Sequence, residues 1–203
     1  MSPAAESLGA DPAPQRRRPL VGVVAAVVVL LLLGALVVRH ELVQTFWVPS
    51  GSMRPVLEEG DVLAVDRTER GTGRRGEIVV FDGRGYFGPS SDGSRYWVKR
   101  VIGLPGERVT CCDGAGRITI DGSPLDEPYL APGVAPSSVA FDVEVPAGSV
   151  FLLGDDREHS SDSRDHLGSP GGGMIPEDRI VGEVRRILWP LPRSGEVPSV
   201  GSR

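Results

Sequence analysis

The sequence predicts an all-β body that carries a smaller inserted β lobe and is preceded by one N-terminal transmembrane helix. Three observations lead there. Short apolar runs of strand length recur from residue 60 onward, and the 27 glycines and 18 prolines of the 203-residue chain fall largely between them as turns. Where a run is long enough to show a period, as in Tyr96 to Ile102, it alternates. One run alone has spanning length, the 19 charge-free residues from Leu20 to Val38.

Taken in order, residues 1–19 read as a polar, Ala- and Pro-rich disordered cytoplasmic tail that ends in Arg16, Arg17 and Arg18. Residues 20–38 would make a helix about 28 Å long, matching a hydrocarbon core of about 30 Å. A cleavable secretory signal is the alternative, but its apolar region is usually about 7–15 residues. No small-x-small site follows either, because Arg39-His40-Glu41 comes next. An uncleaved anchor is therefore expected. The basic flank sets its N-terminus in the cytoplasm and everything after Val38 outside, by the positive-inside rule.

Glu41 to Val48 is an extended apolar lead-in, whose Phe46 and Trp47 suit either the membrane interface or ordinary strand packing. Strands are predicted at Gly60–Val65, Glu77–Phe81 and Tyr96–Ile102. Arg108–Cys112, Ile118–Asp121 and Val139–Val145 read as strands of the inserted lobe, and Val150–Leu153 and Ile180–Leu188 as later ones. The expected division is residues 39–102 with 148–191 as an extracytoplasmic catalytic core, 103–147 as the lobe, and 192–203 as a flexible tail. A net charge of −5 offers no basic footprint for nucleic acid. The two cysteines, Cys111 and Cys112, are adjacent, and bonding neighbours would close a strained eight-membered ring, so two small thiols are expected.

The chemistry gathers around Val48 to Leu57. Ser52 lies in a Ser-Gly-Ser-Met turn between Pro49 and Pro55, which restrain the backbone on both sides and present the hydroxyl from a bend. Among 22 basic residues only Lys99 is a lysine. A chain that uses arginine for plain positive charge and keeps one lysine points to an amine that must lose its proton, which a guanidinium does not do. Alternation puts Trp97, Lys99 and Val101 on one face; partial burial there would lower the lysine pKa. A solvated edge lysine is the plainer reading. The polar run Asp156 to Arg164 follows a buried strand, and is either a solvated loop or a place where Asp162 and Arg164 pair and hold Ser160 towards the amine. His159, or less directly His166, offers a second base for Ser52. No metal-ligand spacing or phosphate loop appears, so neither metal nor cofactor is expected.

Four stretches in order, PSGSMRP at Pro49–Pro55, GDVLAV at Gly60–Val65, YWVKRVIGLPGE at Tyr96–Glu107 and GDDREHSSDSR at Gly154–Arg164, resemble the bacterial type I signal peptidases. These are membrane-anchored Ser-Lys endopeptidases that remove signal peptides from exported preproteins. The resemblance implies an antiparallel β core, Ser52 as acyl-forming nucleophile and Lys99 as general base. It also implies Ser50 with the Ser52 N–H as oxyanion hole, Ser160 as the hydroxyl that orients the lysine, and Asp162–Arg164 as a supporting ion pair. Substrates are implied to lie extended along a strand edge, with small residues before the cut. Asp156, Glu158-His159 and the Gly171–Gly173 run depart from the family pattern without touching nucleophile or base. A self-cleaving repressor-type Ser-Lys protease and a membrane-tethered non-catalytic binder of signal peptides are the competing readings. The anchor opposes the first, and retention of both Ser52 and Lys99 opposes the second.

Overall fold

The computed structural model describes residues 18–68, 70, 71 and 73–198, and the side chains of the N-terminal helix over 21–35. The expected tail up to residue 17, with Arg16 and Arg17, lies outside the described residues. Contacts divide the chain after His40 into two units.

The first unit holds most of helix α1, Arg18–Leu42. Its described valines and leucines, from Val21 to Leu33, are all exposed. Among the described residues no helix is long and apolar enough to cross a membrane. Leu20 and residues 36–38 of the expected span fall outside the described side chains.

The second unit is built of antiparallel strands. A curled sheet is formed by β1 (Val43–Trp47), β2 (Val62–Asp66), β3 (Ile78–Asp82), β4 (Tyr96–Gly103), β9 (Ser149–Leu153), β10 (Ile175–Pro176), β11 (Ile180–Trp189) and β12 (Gly195–Glu196). A smaller sheet comprises β5 (Arg108–Cys111), β6 (Ile118–Ile120), β7 (Ser123–Pro124) and β8 (Phe141–Glu144). The large sheet runs β1-β2-β11-β3-β4-β9-β10, with β12 on β11; the small one runs β7-β6-β5-β8.

Alternation decides which face each strand buries. Leu63, Val65, Ile78, Val80 and Val184 point to one side of the large sheet, where Met53 and Leu57 join them. Val79, Phe81, Val101, Val150 and Leu152 point to the other. Burying a side chain of this size stabilises by about 1.5–3 kcal/mol. The small sheet has its own cluster, Val109, Ile118 and Phe141, which continues into Ile102, Phe151 and Leu153 of the large one. The chain crosses between sheets at Gly103, where a Cβ would lie 2.6 Å from Val109 and 2.9 Å from Val145, so only glycine fits.

Two expectations are corrected. Cys111 and Cys112 are not two thiols but are bonded to each other, and the peptide between them is cis. The stretch after Pro192 is not a loose tail from its start. Arg193 reaches back to pair with Asp61 at 3.0 Å and Glu58 at 2.9 Å, and β12 then pairs with β11. Residues 199–203 lie outside the described residues.

Candidate active site

The turn that presents Ser52 is fixed at both ends. Val48 N–H donates to the Asp61 carbonyl and Gly60 N–H to the Val48 carbonyl, both at 2.9 Å, so the chain leaves β1 pinned to the approach of β2. Arg54 N–H then donates to Gly51 O at 3.0 Å and Leu57 N–H to Met53 O at 2.9 Å. Met53 and Leu57 are buried in the core below. With Met53 driven inward, the preceding Ser52 turns its hydroxyl to a groove of about 440 Å³.

Lys99 meets it from β4. Its Nζ lies 2.7 Å from Ser52 Oγ and donates to the Val98 carbonyl at 3.1 Å. The residue is only 2% exposed, so the solvated-edge reading of Lys99 is set aside. The Trp97 ring centre stands 5.4 Å from Nζ. Burial lowers the lysine pKa to about 8, against the pull of Asp162 and Asp155, which favour the ammonium; the Arg164 charge lowers it further.

The remaining sequence-derived residues surround this pair. Ser50 Oγ is 3.4 Å from Ser52 Oγ. Asp162 and Arg164 form a buried ion pair, with Arg164 Nη2 2.8 Å and Nε 2.9 Å from the carboxylate. Burial opposes ionisation of Asp162, but the Arg164 bonds and charge, with the N–H groups of Gly154 and Arg164, hold its pKa below the usual carboxylate range. Ser160 Oγ is buried with no hydrogen-bond partner, so the bond to Lys99 expected of it is not made here. It sits where a Gly154 side chain would begin: a Cβ there would collide with Ser160 Oγ and come within 2.5 Å of the Ser52 carbonyl.

The histidines are placed otherwise. His159 lines the groove, but its ring pairs with Asp156 at 3.0 Å. His166 Nδ1 is 2.8 Å from the Asp162 carbonyl, and its ring stacks on Phe87. Asp156 holds Ser52 through its backbone, donating N–H to the Ser52 carbonyl at 3.1 Å.

Several buried groups escaped the sequence reading. Arg100, next to Lys99, is wholly buried and donates from Nε and Nη2 to Asp155 at 2.7 and 2.6 Å. Arg157 pairs with Glu127, and Tyr129 covers Arg100. The one signal available was arginine inside an apolar strand, since a buried charge requires a partner.

The groove has two strand edges. β1 ends the large sheet, and β4 meets β9 only from Arg100 onward, so the Tyr96–Lys99 half of β4 has one side without a strand. Phe46, Val48, Met53, Tyr96 and Trp97 give the walls an apolar character. Among the described residues no cluster of potential metal ligands occurs.

The sequence profile of the family described as "Signal peptidase, peptidase S26" matches residues 20–189. Signal peptidase I T of Bacillus subtilis is 37% identical over 176 residues, covering 82% of this chain and 83% of its own. Signal peptidase I of Leptolyngbya laminosa is 35% identical over 205 residues, covering 97% of this chain and 94% of its own. That of Mycobacterium tuberculosis is 32% identical, covering 94% and 79%. The matched region contains the Ser52 turn, the Lys99 strand and the loop behind them, and the chain belongs to the signal peptidase family of peptidases, S26.

Proposed function

We propose that the protein is a membrane-tethered serine endopeptidase that cleaves signal peptides from exported preproteins, with Ser52 as nucleophile and Lys99 as general base. The observation that carries the reading is the 2.7 Å approach of a buried lysine amine to the hydroxyl of a rigid turn that faces a groove. A neutral Lys99 amine takes the Ser52 proton as Oγ attacks the scissile carbonyl, and the oxyanion is received by the Ser52 N–H and the Ser50 hydroxyl. The ammonium then passes its proton to the leaving amine, and the acyl group stays on Ser52. Lys99, neutral again, deprotonates the water that hydrolyses the ester. The role read for Ser160 is to accept a hydrogen bond from the ammonium while Ser52 is acylated, and its buried, unpartnered hydroxyl supports that reading. Asp162–Arg164 hold the Ser160 loop.

The substrate is expected to run extended between the open side of Tyr96–Lys99 and the β1 edge, with small residues before the cut. Membrane tethering is supported by the uncharged run Leu20–Val38, whose described side chains are exposed in a continuous helix. Exposed Trp47 and Trp189, which both register with Val62, add an interfacial surface on the β body. The N-terminus is then cytoplasmic and the catalytic body extracytoplasmic.

The test is cleavage of a preprotein with an Ala-x-Ala site by detergent-solubilised enzyme across pH, with Lys99→Ala beside it. The amine must be neutral to act, so activity should rise with pH through about 8 and be absent in the variant. Cleavage by Lys99→Ala would place the base elsewhere, with His159 first in line. A protein that binds preprotein but never cuts it would be a tethered binder.

A further inference from the structure

The inserted lobe contributes more than bulk to the reaction site. Glu127 and Tyr129 lie in the connection between β7 and β8, and both side chains are directed into the base of the catalytic loop. Tyr129 is 9% exposed, and its hydroxyl donates to Glu127 Oε1 at 2.8 Å. The same oxygen accepts from Arg157 Nη2. The Tyr129 ring in turn lies 3.9 Å from the Arg100 guanidinium carbon. Two residues of the lobe thus grip two buried cations, one on the strand that carries Lys99 and one in the loop that abuts Ser52.

Each cation passes the grip on. Arg157 donates from Nε to the Gly154 carbonyl at 2.9 Å and from Nη1 to the Pro136 carbonyl at 2.8 Å, while its own carbonyl accepts from Arg164 at 3.0 Å. The next residue back, Asp156, holds the Ser52 carbonyl. Arg100 fixes Asp155 through both carboxylate oxygens.

We propose that Glu127 and Tyr129 are positioning residues for the Ser52–Lys99 pair. By clamping Arg157 and Arg100 they press the 154–164 loop onto the strand bearing Lys99 and keep water from the amine. The proposal rests on the reading of Lys99 as the base. The groups that bear on Lys99 are Asp155 and Asp162, which favour the ammonium, and Arg164, which opposes it; burial outweighs all three. Loosening the loop admits water, relieves that burial and returns the amine towards its ordinary basicity. Loss of the Glu127 negative charge alone would move the amine in the opposite direction, so the direction of the shift separates loosening from simple electrostatics.

The experiment uses the full chain in detergent, comparing parent, Lys99→Ala, Tyr129→Phe and Glu127→Gln by the pH dependence of preprotein cleavage, with folding followed by thermal melting. Tyr129→Phe keeps the ring over Arg100 and removes only the hydroxyl. The expected result is a rise in the midpoint of the activity profile by about half a unit to one unit in both folded variants. Near pH 7 that is a loss of roughly three- to tenfold in kcat, with KM little changed, recovering towards the parent rate at high pH. Should Glu127→Gln fail to fold because Arg157 is left unpaired, Tyr129→Phe decides. A folded variant that is slower with an unmoved midpoint, or one whose midpoint falls, overturns the clamp. A parent profile without the step that Lys99→Ala abolishes would remove the lysine base itself, and is distinguishable because it needs neither clamp variant.

Discussion

Lys99 and Arg100 are consecutive residues of β4, on opposite faces of one strand, and are 2% and 0% exposed. Their surroundings differ completely. Arg100 meets Asp155 in a two-pronged bond, donates to the Gly76 carbonyl and lies under the Tyr129 ring. Lys99 has one hydroxyl and one carbonyl, with the Trp97 ring centre more distant at 5.4 Å, and no aligned carboxylate is bonded to it among the described residues. Removing a charge from water costs several kcal/mol unless partners replace the hydration. At Arg100 the bonds to Asp155 and Gly76 go far towards replacing it, although burial still raises the Asp155 pKa, and a guanidinium holds its charge in any case. At Lys99 the partners do not, so the amine yields its proton more easily, down to about 8. A buried cation holds its charge where its burial is compensated and is more easily deprotonated where it is not.

The second outcome carries a stability cost of definite sign. The folded lysine pKa lies below its unfolded value of 10.5, so the folded state resists protonation. The contribution of this group to stability is highest above pH 10.5 and falls as pH drops towards 8, by about 3 kcal/mol on an order-of-magnitude reckoning. The sharpest way to break the comparison is therefore to replace each cation by methionine. Lys99→Met should lose cleavage on the order of 10⁴-fold or more, yet melt higher than the parent at pH 7. Lys99→Arg should be equally inactive without that gain, because the charge stays. Arg100→Met should do the reverse to stability: Asp155 is left buried and unpaired, and the fold loses about 3–5 kcal/mol. Equal melting shifts for the two methionine variants at pH 7 would show that the partners of Arg100 do not compensate its burial.

A smaller effect tests the geometry rather than the charge. Gly154→Ala places a methyl group against Ser160 Oγ and the Ser52 carbonyl at once. Displacing a nucleophile by an ångström or less is expected to cost on the order of 10²-fold in kcat, with the melting temperature of the body only modestly changed. Unaltered kcat in Gly154→Ala would mean that the loop moves away at no cost and that its contact with Ser52 does not matter.

The difference between the two β4 residues also marks what the sequence made legible. The strands from β2 to β6, and β8, β9 and β11, followed from apolar runs broken by turns, because each buries a face and is long enough to display it. Two-residue β7, β10 and β12 are too short to carry a period. Ser52 stood out through two prolines and Lys99 through being the sole lysine, both local or compositional marks. Asp162–Arg164 are two apart and could be paired by eye, whereas Arg100–Asp155 and Arg157–Glu127 are separated by 55 and 30 residues. Nothing along the chain announces which acid meets which arginine once the sheet closes. Nor does adjacency in the chain reveal that Cys111 and Cys112 bond to each other.

Glu183 is a third buried ionisable group, and it sharpens the comparison from the acidic side. It is 3% exposed on β11, where Arg185 Nη2 stands 2.8 Å and Arg74 Nη2 3.6 Å from its Oε2. Burial and the neighbouring Glu77 carboxylate nonetheless raise its pKa to about 7, so the two arginines do not fully compensate its burial. A raised carboxyl pKa means that the folded state favours the proton. Stability from this group is complete below about pH 4.5, declines as the unfolded chain alone ionises, and is fully lost above about pH 7. Glu183→Gln carries no such dependence. Its melting temperature relative to the parent should rise between pH 4.5 and 7, by about 6–12 °C, and stay level above that. A difference that is flat across this window, or that narrows with rising pH, would mean that Arg185 and Arg74 compensate the burial of Glu183.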